Sequence, residues 1–161
     1  MMGKDLGQLS GVSQTLWVPL LSRAQASAQP HKRFYDAQAE VLAAHIKQLI
    51  PGLGRVRYPL SHALVARAQH YDQAALHFLR RHPKGQVVQL GCGLDTRYER
   101  LPTDQRGHKN QWWHLDLPEV MALRRRYFLP EQQLPNASNG VSDVDWLLQL
   151  DPDQPTLLQA E

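Results

Sequence analysis

Cysteine is almost absent from this sequence: Cys92 is the single one in 161 residues. An internal disulfide and a cysteine-built zinc cluster are thereby excluded. Long apolar runs are missing too, so no stretch reads as a membrane span, and the opening MMGKDLGQLSGVSQ lacks the basic-then-apolar layout of a secretory signal. The expected location is the cytoplasm, with no membrane partner. Nor is there a strong excess of one charge. The formal net charge is +3, and the basic residues gather at Arg80-Arg81-His82-Pro83-Lys84 and Arg124-Arg125-Arg126. Each cluster lies near the end of an expected helix, where cations oppose the negative end of the helix dipole and usually form a solvated terminus. Nucleic acid is therefore not an expected partner. Internal repeats and low-complexity tracts are lacking as well. What remains, 42% hydrophobic and 20% charged residues, is enough to build a globular core.

The most informative stretch is Gln86 to Arg97, QVVQLGCGLDTR. Val87, Val88 and Leu90 read as a buried strand, and Gly91-Cys92-Gly93 then demands a tight turn whose backbone can approach a ligand closely. In an open α/β sheet, ligands lie outside the carboxyl ends of the strands. About twenty positions further on, Trp112 to Asp116, WWHLD, reads as a second strand ending in a carboxylate able to accept both hydroxyls of a ribose. One expected glycine is lacking. A dinucleotide turn wants it where Thr96 stands, so that helix and strand pack closely around a pyrophosphate. A G-x-G turn without it, followed by a ribose-binding acid, fits S-adenosylmethionine (SAM) better, because that cofactor has no phosphates; a nicotinamide dinucleotide is the alternative. Cys92 reads as a small residue tolerated in the turn, since no histidine partner stands in the local motif.

Periodicity places the remaining elements. Ser10 to Ala28 reads as a helix with Pro19 as a kink or early break. Asp36 is the N-cap of a helix Ala37 to Leu49, with Val41, Leu42, His45, Ile46 and Leu49 at helical spacing. Ser61 to Arg81 is the longest periodic segment, its core stripe formed by Leu64, Ala68, Tyr71, Ala75 and Phe78. Arg67 lies at the stripe's edge, where a long cation can rest its stem on apolar surface. His62, His70 and His77 are spaced too widely to share a metal on one helix, and no metal site is expected. After the first strand, Leu94 to Leu101 begins helical, Gln111 to Leu115 is the second strand, and Pro118 opens a helix Glu119 to Tyr127. A third strand is expected at Ala137 to Val141, a short helix Trp146 to Leu150 capped by Asp143 or Asp145, and a fourth strand at Thr156 to Ala160. This alternation calls for a parallel sheet with right-handed crossovers.

GCGLDTRYERL, then WWHLDLPEVMALRRRYF, then VDW and PTLLQAE, in this order and separation, resemble the leucine carboxyl methyltransferase family, including its bacterial branch of polyketide-biosynthesis O-methyltransferases. GVSQTLWVPLLSRA and FYDAQAEVL resemble that family's opening, so the likeness covers nearly the whole chain. It implies a Rossmann-like class I methyltransferase fold, α/β, with a partial parallel sheet of about four strands preceded by N-terminal helices. Residues 1–82 would form a helical lid and the first sheet-packing helix, and 83–161 a SAM-binding half-domain. The family continues beyond QAE, so the chain looks like the amino-terminal portion of such an enzyme. In the usual class I strand order the fourth strand has a bare outer edge, expected to pair with another chain as a homo-oligomer, to be covered by the N-terminal helices, or to aggregate.

The resemblance also implies roles. Gly91 and Gly93 admit the cofactor and Asp116 meets its ribose. Arg67 stands where the family has an arginine holding the methionyl carboxylate of SAM, a bidentate task that suits a guanidinium. Val141 matches the second residue of an adenine-contacting Asp-Leu pair, whose aspartate is replaced here by Gly140, with Asp143 a candidate substitute. Glu161 matches a glutamate of the fourth-strand motif. Asp95 and Arg97 are expected to pin the glycine loop. The implied reaction is SAM-dependent O-methylation of a carboxyl or hydroxyl group of a small-molecule acceptor; the alternative is a SAM-binding or association fragment without turnover. Direct displacement needs alignment and exclusion of water rather than a covalent residue. No catalytic residue is assigned.

Overall fold

The computed structural model describes residues 12–30, 33–49, 54–128, 136–138 and 144–160. The chain forms two compact units, Met1–Gln69 and His70–Glu161. In the first, α1 (Val12–Ser27) packs on α2 (Ala37–Leu49). Trp17, Leu20 and Leu21 of α1 and Leu42, Ala43 and Ile46 of α2 are buried. Val41 and His45, expected on the buried stripe, lie on the solvent face instead. Pro19 does not end α1. A proline inside a helix costs about 3 kcal/mol, whereas burying a leucine contributes roughly 1.5–3 kcal/mol, and two leucines directly beyond Pro19 are buried. Asp36 caps α2 as expected: its Oδ1 accepts the Ala39 N–H at 2.9 Å. The same carboxylate pairs with Arg23 of α1 at 3.1 Å, so one buried acid both starts α2 and ties it to its neighbour.

α3 (Leu60–Arg81) runs across the boundary between the units. Its buried line is Ala68, Asp72, Ala75 and Leu79, with Leu64, Tyr71 and Phe78 only half buried. An acid thus stands where the periodicity places only apolar residues.

The second unit is built on a parallel sheet of β1 (Gln86–Leu90), β2 (Trp112–Leu115), β3 (Asn136–Ser138) and β4 (Thr156–Ala160), in the order β3-β2-β1-β4. Central β1 is covered on both faces, which is why its sequence is an apolar run rather than an alternation. On one face Val87 and Trp112 pack with Ala75, Leu79, Tyr98 and Leu101; on the other, Val88, Trp113 and Leu115 pack with Trp146. β4 is at the sheet's edge, and no described strand pairs with its outer side. Three local expectations are corrected. The helix expected over 94–101 is a single turn, α4 (Arg97–Arg100), because Leu94 to Thr96 are held in the glycine loop. The second strand begins at Trp112, after a 3-10 turn Lys109–Gln111. The helix expected over 146–150 is a 3-10 turn Val144–Gln149 that contains Asp145 instead of being capped by it. Residues 139–141 and Asp143 lie outside the described residues. α5 (Pro118–Tyr127) starts on its proline, as expected. Among the described residues no helix is long and apolar enough to cross a membrane.

Candidate functional site

At the carboxyl end of β1 the backbone enters the left-handed region twice, at Gly91 (φ 66°) and Gly93 (φ 49°). Only glycine adopts this conformation without a steric cost. The turn is closed by its own donors. Gly91 and Cys92 donate their N–H groups to the Leu115 carbonyl at 2.8 and 3.2 Å, Gly93 to Asp116 Oδ2 at 2.7 Å, Asp95 to the Cys92 carbonyl at 2.9 Å, and Thr96 to Asp95 Oδ1 at 2.9 Å. Asp116 Oδ1 accepts the Leu117 N–H at 2.7 Å. Each carboxylate oxygen of Asp116 therefore takes one backbone donor. A carboxylate has about four lone-pair sites, so acceptor capacity remains for a ligand's hydroxyls.

Behind the loop lies a charged layer that extends the pinning role expected of Asp95 and Arg97. Asp95 Oδ2 meets Arg97 at 3.0 Å and the Gln89 amide at 2.9 Å. Arg97 reaches Asp72 at 3.3 Å and Gln159 Oε1 at 2.9 Å, and Arg100 grips Asp72 at 2.7 Å and Asp95 at 3.3 Å. The sheet supplies a matching polar row: Gln159, Gln89 and His114 stand in register across β4, β1 and β2, all buried. A buried ion layer is costly unless every charge is paired. Here two arginines answer two aspartates, and amides take the remaining sites.

Arg124 holds the loop from its other side. Its Nη1 donates to the carbonyls of Gly93 (3.0 Å) and Asp95 (2.8 Å), and its Nη2 lies 2.9 Å from His114 Nδ1. Arginine can only donate, so His114 accepts at Nδ1 and carries its proton on Nε2. Burial, reinforced by the Arg124 and Arg97 guanidinium groups and opposed by Asp95, holds the imidazole well below its usual range, and His114 is neutral. The sequence reading missed this arginine by grouping it with a solvated cluster. Its neighbours Arg125 and Arg126 are indeed exposed, but Arg124 falls on the face of α5 that buries Val120, Met121 and Leu123. The spacing of four from Val120 and three from Met121 was the available signal. Asp72, Gln89 and Gln159 offered none.

The structure thus brings Gly91, Gly93 and Asp116 together. Arg67 is exposed on the part of α3 that belongs to the first unit. Val141 and Glu161 lie outside the described residues. Cys92 is buried with its Sγ 3.8 Å from Met121 Sδ, a packed thiol in the turn. Substituting Gly93 by alanine is expected to destabilise the chain by about 1 kcal/mol or more, because alanine at positive φ is strained. Chemical denaturation checks this; an unchanged midpoint would show that the turn relaxes freely.

The sequence pattern of the leucine carboxyl methyltransferase family matches residues 18–151. The chain is 31% identical to the tetracenomycin polyketide synthesis O-methyltransferase TcmP of Streptomyces glaucescens, over 99% of this chain and 57% of that relative. It is 29% identical to the S-adenosyl-L-methionine-dependent methyltransferase dpfgK of Gibberella zeae, over 73% of this chain and 41% of that relative. The chain spans about half the length of the curated relatives it matches.

Proposed function

The chain belongs to the leucine carboxyl methyltransferase family, and from that premise we propose that its second unit holds SAM for methyl transfer to a carboxyl or hydroxyl oxygen of a small-molecule acceptor. The observation that carries the cofactor choice is that most donors of the glycine turn are already occupied. Five backbone N–H groups, those of residues 91, 92, 93, 95 and 96, are spent within the protein. A dinucleotide needs such donors free to face its pyrophosphate; SAM does not. Asp116 keeps acceptor sites for ribose hydroxyls, and Gly91 and Gly93 present no side chain to obstruct the cofactor. Arg67 for the methionyl carboxylate, and Val141 and Glu161 for the rest of the cofactor, are assigned by their match to the family's motifs. When bound, SAM supplies a methyl group already activated by its sulfonium. The protein's share is alignment and exclusion of water, with no covalent residue required. The polyketide O-methyltransferase name of the Streptomyces relative supports a small organic acceptor, and the reading places the reaction in the cytoplasm.

Calorimetric titration tests this. The chain is expected to bind SAM and not NAD, and Asp116→Ala to weaken SAM binding at least about tenfold, or about 1.4 kcal/mol. Preference for NAD, or SAM binding indifferent to Asp116, would sink the assignment. Transfer of labelled methyl to an added acceptor then separates an enzyme from a SAM-binding module.

A further inference from the structure

The first unit contains a groove of 820 Å³ that the SAM reading does not use. Small-molecule sites typically enclose about 300–1,000 Å³. Phe34, Val56, Val65 and Ala26 give it an apolar lining, with Phe34 itself buried. Tyr58, 75% exposed, adds an aromatic ring whose centre lies 4.9 Å from that of the His62 ring, the two nearly perpendicular. Three arginines, Arg33, Arg55 and Arg57, also line it, and among the described residues no carboxylate does.

Two further observations distinguish these arginines from ordinary surface charge. Their backbones are tied down by glutamines that also line the groove. Gln25 Oε1 accepts the N–H of Val56, between Arg55 and Arg57, at 2.9 Å, and Gln69 Nε2 donates to the Arg33 carbonyl at 3.3 Å. The same unit also neutralises an arginine where it serves only packing: Arg23 is buried on Asp36. Among the described residues, none of the three groove arginines forms an ion pair. Like charges gathered around a concave apolar surface raise one another's energy and focus a positive potential into it. An anion relieves that repulsion, and a guanidinium fork matches a carboxylate or phosphate in two-point contact.

We propose that this groove binds an aromatic acid, its flat apolar body against Phe34, Val56, Val65 and Tyr58 and its anionic group on Arg33, Arg55 and Arg57. The site is built wholly within the first unit and stands independently of the SAM assignment.

Fluorescence titration of the full chain with 2-naphthoate, 2-naphthyl phosphate and methyl 2-naphthoate tests it. At least one of the two anions is expected to bind tenfold or more tighter than the neutral ester, with affinity falling as salt rises; which anion wins identifies the acidic group. The double substitution Arg55→Gln/Arg57→Gln is expected to abolish that preference while the melting temperature and SAM binding stay those of the parent. Equal binding of ester and anions by the parent chain would overturn the proposal without any variant. So would an anion preference that survives loss of both arginines. Failure of the SAM reading appears separately, as a parent chain that does not bind SAM.

Discussion

Arg97→Leu is expected to lower the stability of the chain by about 3–5 kcal/mol, the usual cost of removing one partner from a buried charge set. Arg97 is 1% exposed and serves three acceptors, Asp72 at 3.3 Å, Gln159 at 2.9 Å and Asp95 at 3.0 Å, while its guanidinium stacks 5.0 Å from the centre of the Tyr71 ring. Leucine fills much of the volume but leaves these groups short of donors in a region closed to water. Arg100 limits the damage. It already contacts both aspartates, so neither is left wholly uncompensated, which favours the lower end of the range. Urea denaturation measures the loss, and a cycle with Asp72→Asn apportions it: in the absence of the Asp72 charge, removing Arg97 is expected to cost less. A loss below about 1 kcal/mol would put this layer in the class of solvated surface pairs.

Acid is expected to weaken the fold through His114. Its pKa lies well below 6.5 in the folded chain, mainly because the ring is fully buried and next because Arg124 faces it. Between the unfolded and folded values the unfolded state binds more protons, so stability rises with pH there. The contribution is fully present above about 6.5 and is lost as pH falls toward the folded value, with a slope approaching 1.4 kcal/mol per pH unit. Glu99, which burial pushes up, acts with the opposite sign. That group is common to parent and variant and cancels in their difference. His114→Gln keeps an oxygen for the Arg124 donor but cannot titrate, and denaturation midpoints from pH 8 to 5 are expected to fall less steeply for it than for the parent. Identical slopes would assign the acid sensitivity elsewhere. The effect bears on the site because a protonated His114 would repel the same arginine that holds the carbonyls of Gly93 and Asp95.

The partners of these two residues mark where reading the chain alone falls short. Asp95 and Arg97 were legible as loop-pinning residues because they adjoin the glycines. Asp72, which answers Arg97 and Arg100, comes from a helix more than twenty positions earlier and sits on the buried line of α3. The periodic stripe through Leu64, Tyr71 and Phe78 missed it because apolar spacing carries no sign of a buried acid with distant partners. Arg124 was misread for a related reason: three consecutive arginines look equivalent in composition, but one residue of rotation on a helix is roughly 100° and decides between core and solvent. Pro19 errs in the other direction. Its local penalty is real, and the burial of Leu20 and Leu21 outweighs it.

By itself the sequence determined the strand-turn at Gly91 and Gly93, the strand ending in Asp116, the Asp36 cap and the missing third glycine that argues against a dinucleotide. Each depends on a backbone conformation or a hydrogen bond reaching no more than a few residues, so local residue types suffice. Only the tertiary structure decided that five donors of the glycine turn are spent internally, that Gln159, Gln89 and His114 align in one buried row, and that Arg33, Arg55 and Arg57 share a groove in which no described residue is a carboxylate. Those facts rest on which distant segments meet, and a side chain's charge state and hydrogen-bond capacity acquire their consequences only once its partners, or their absence, are set by packing.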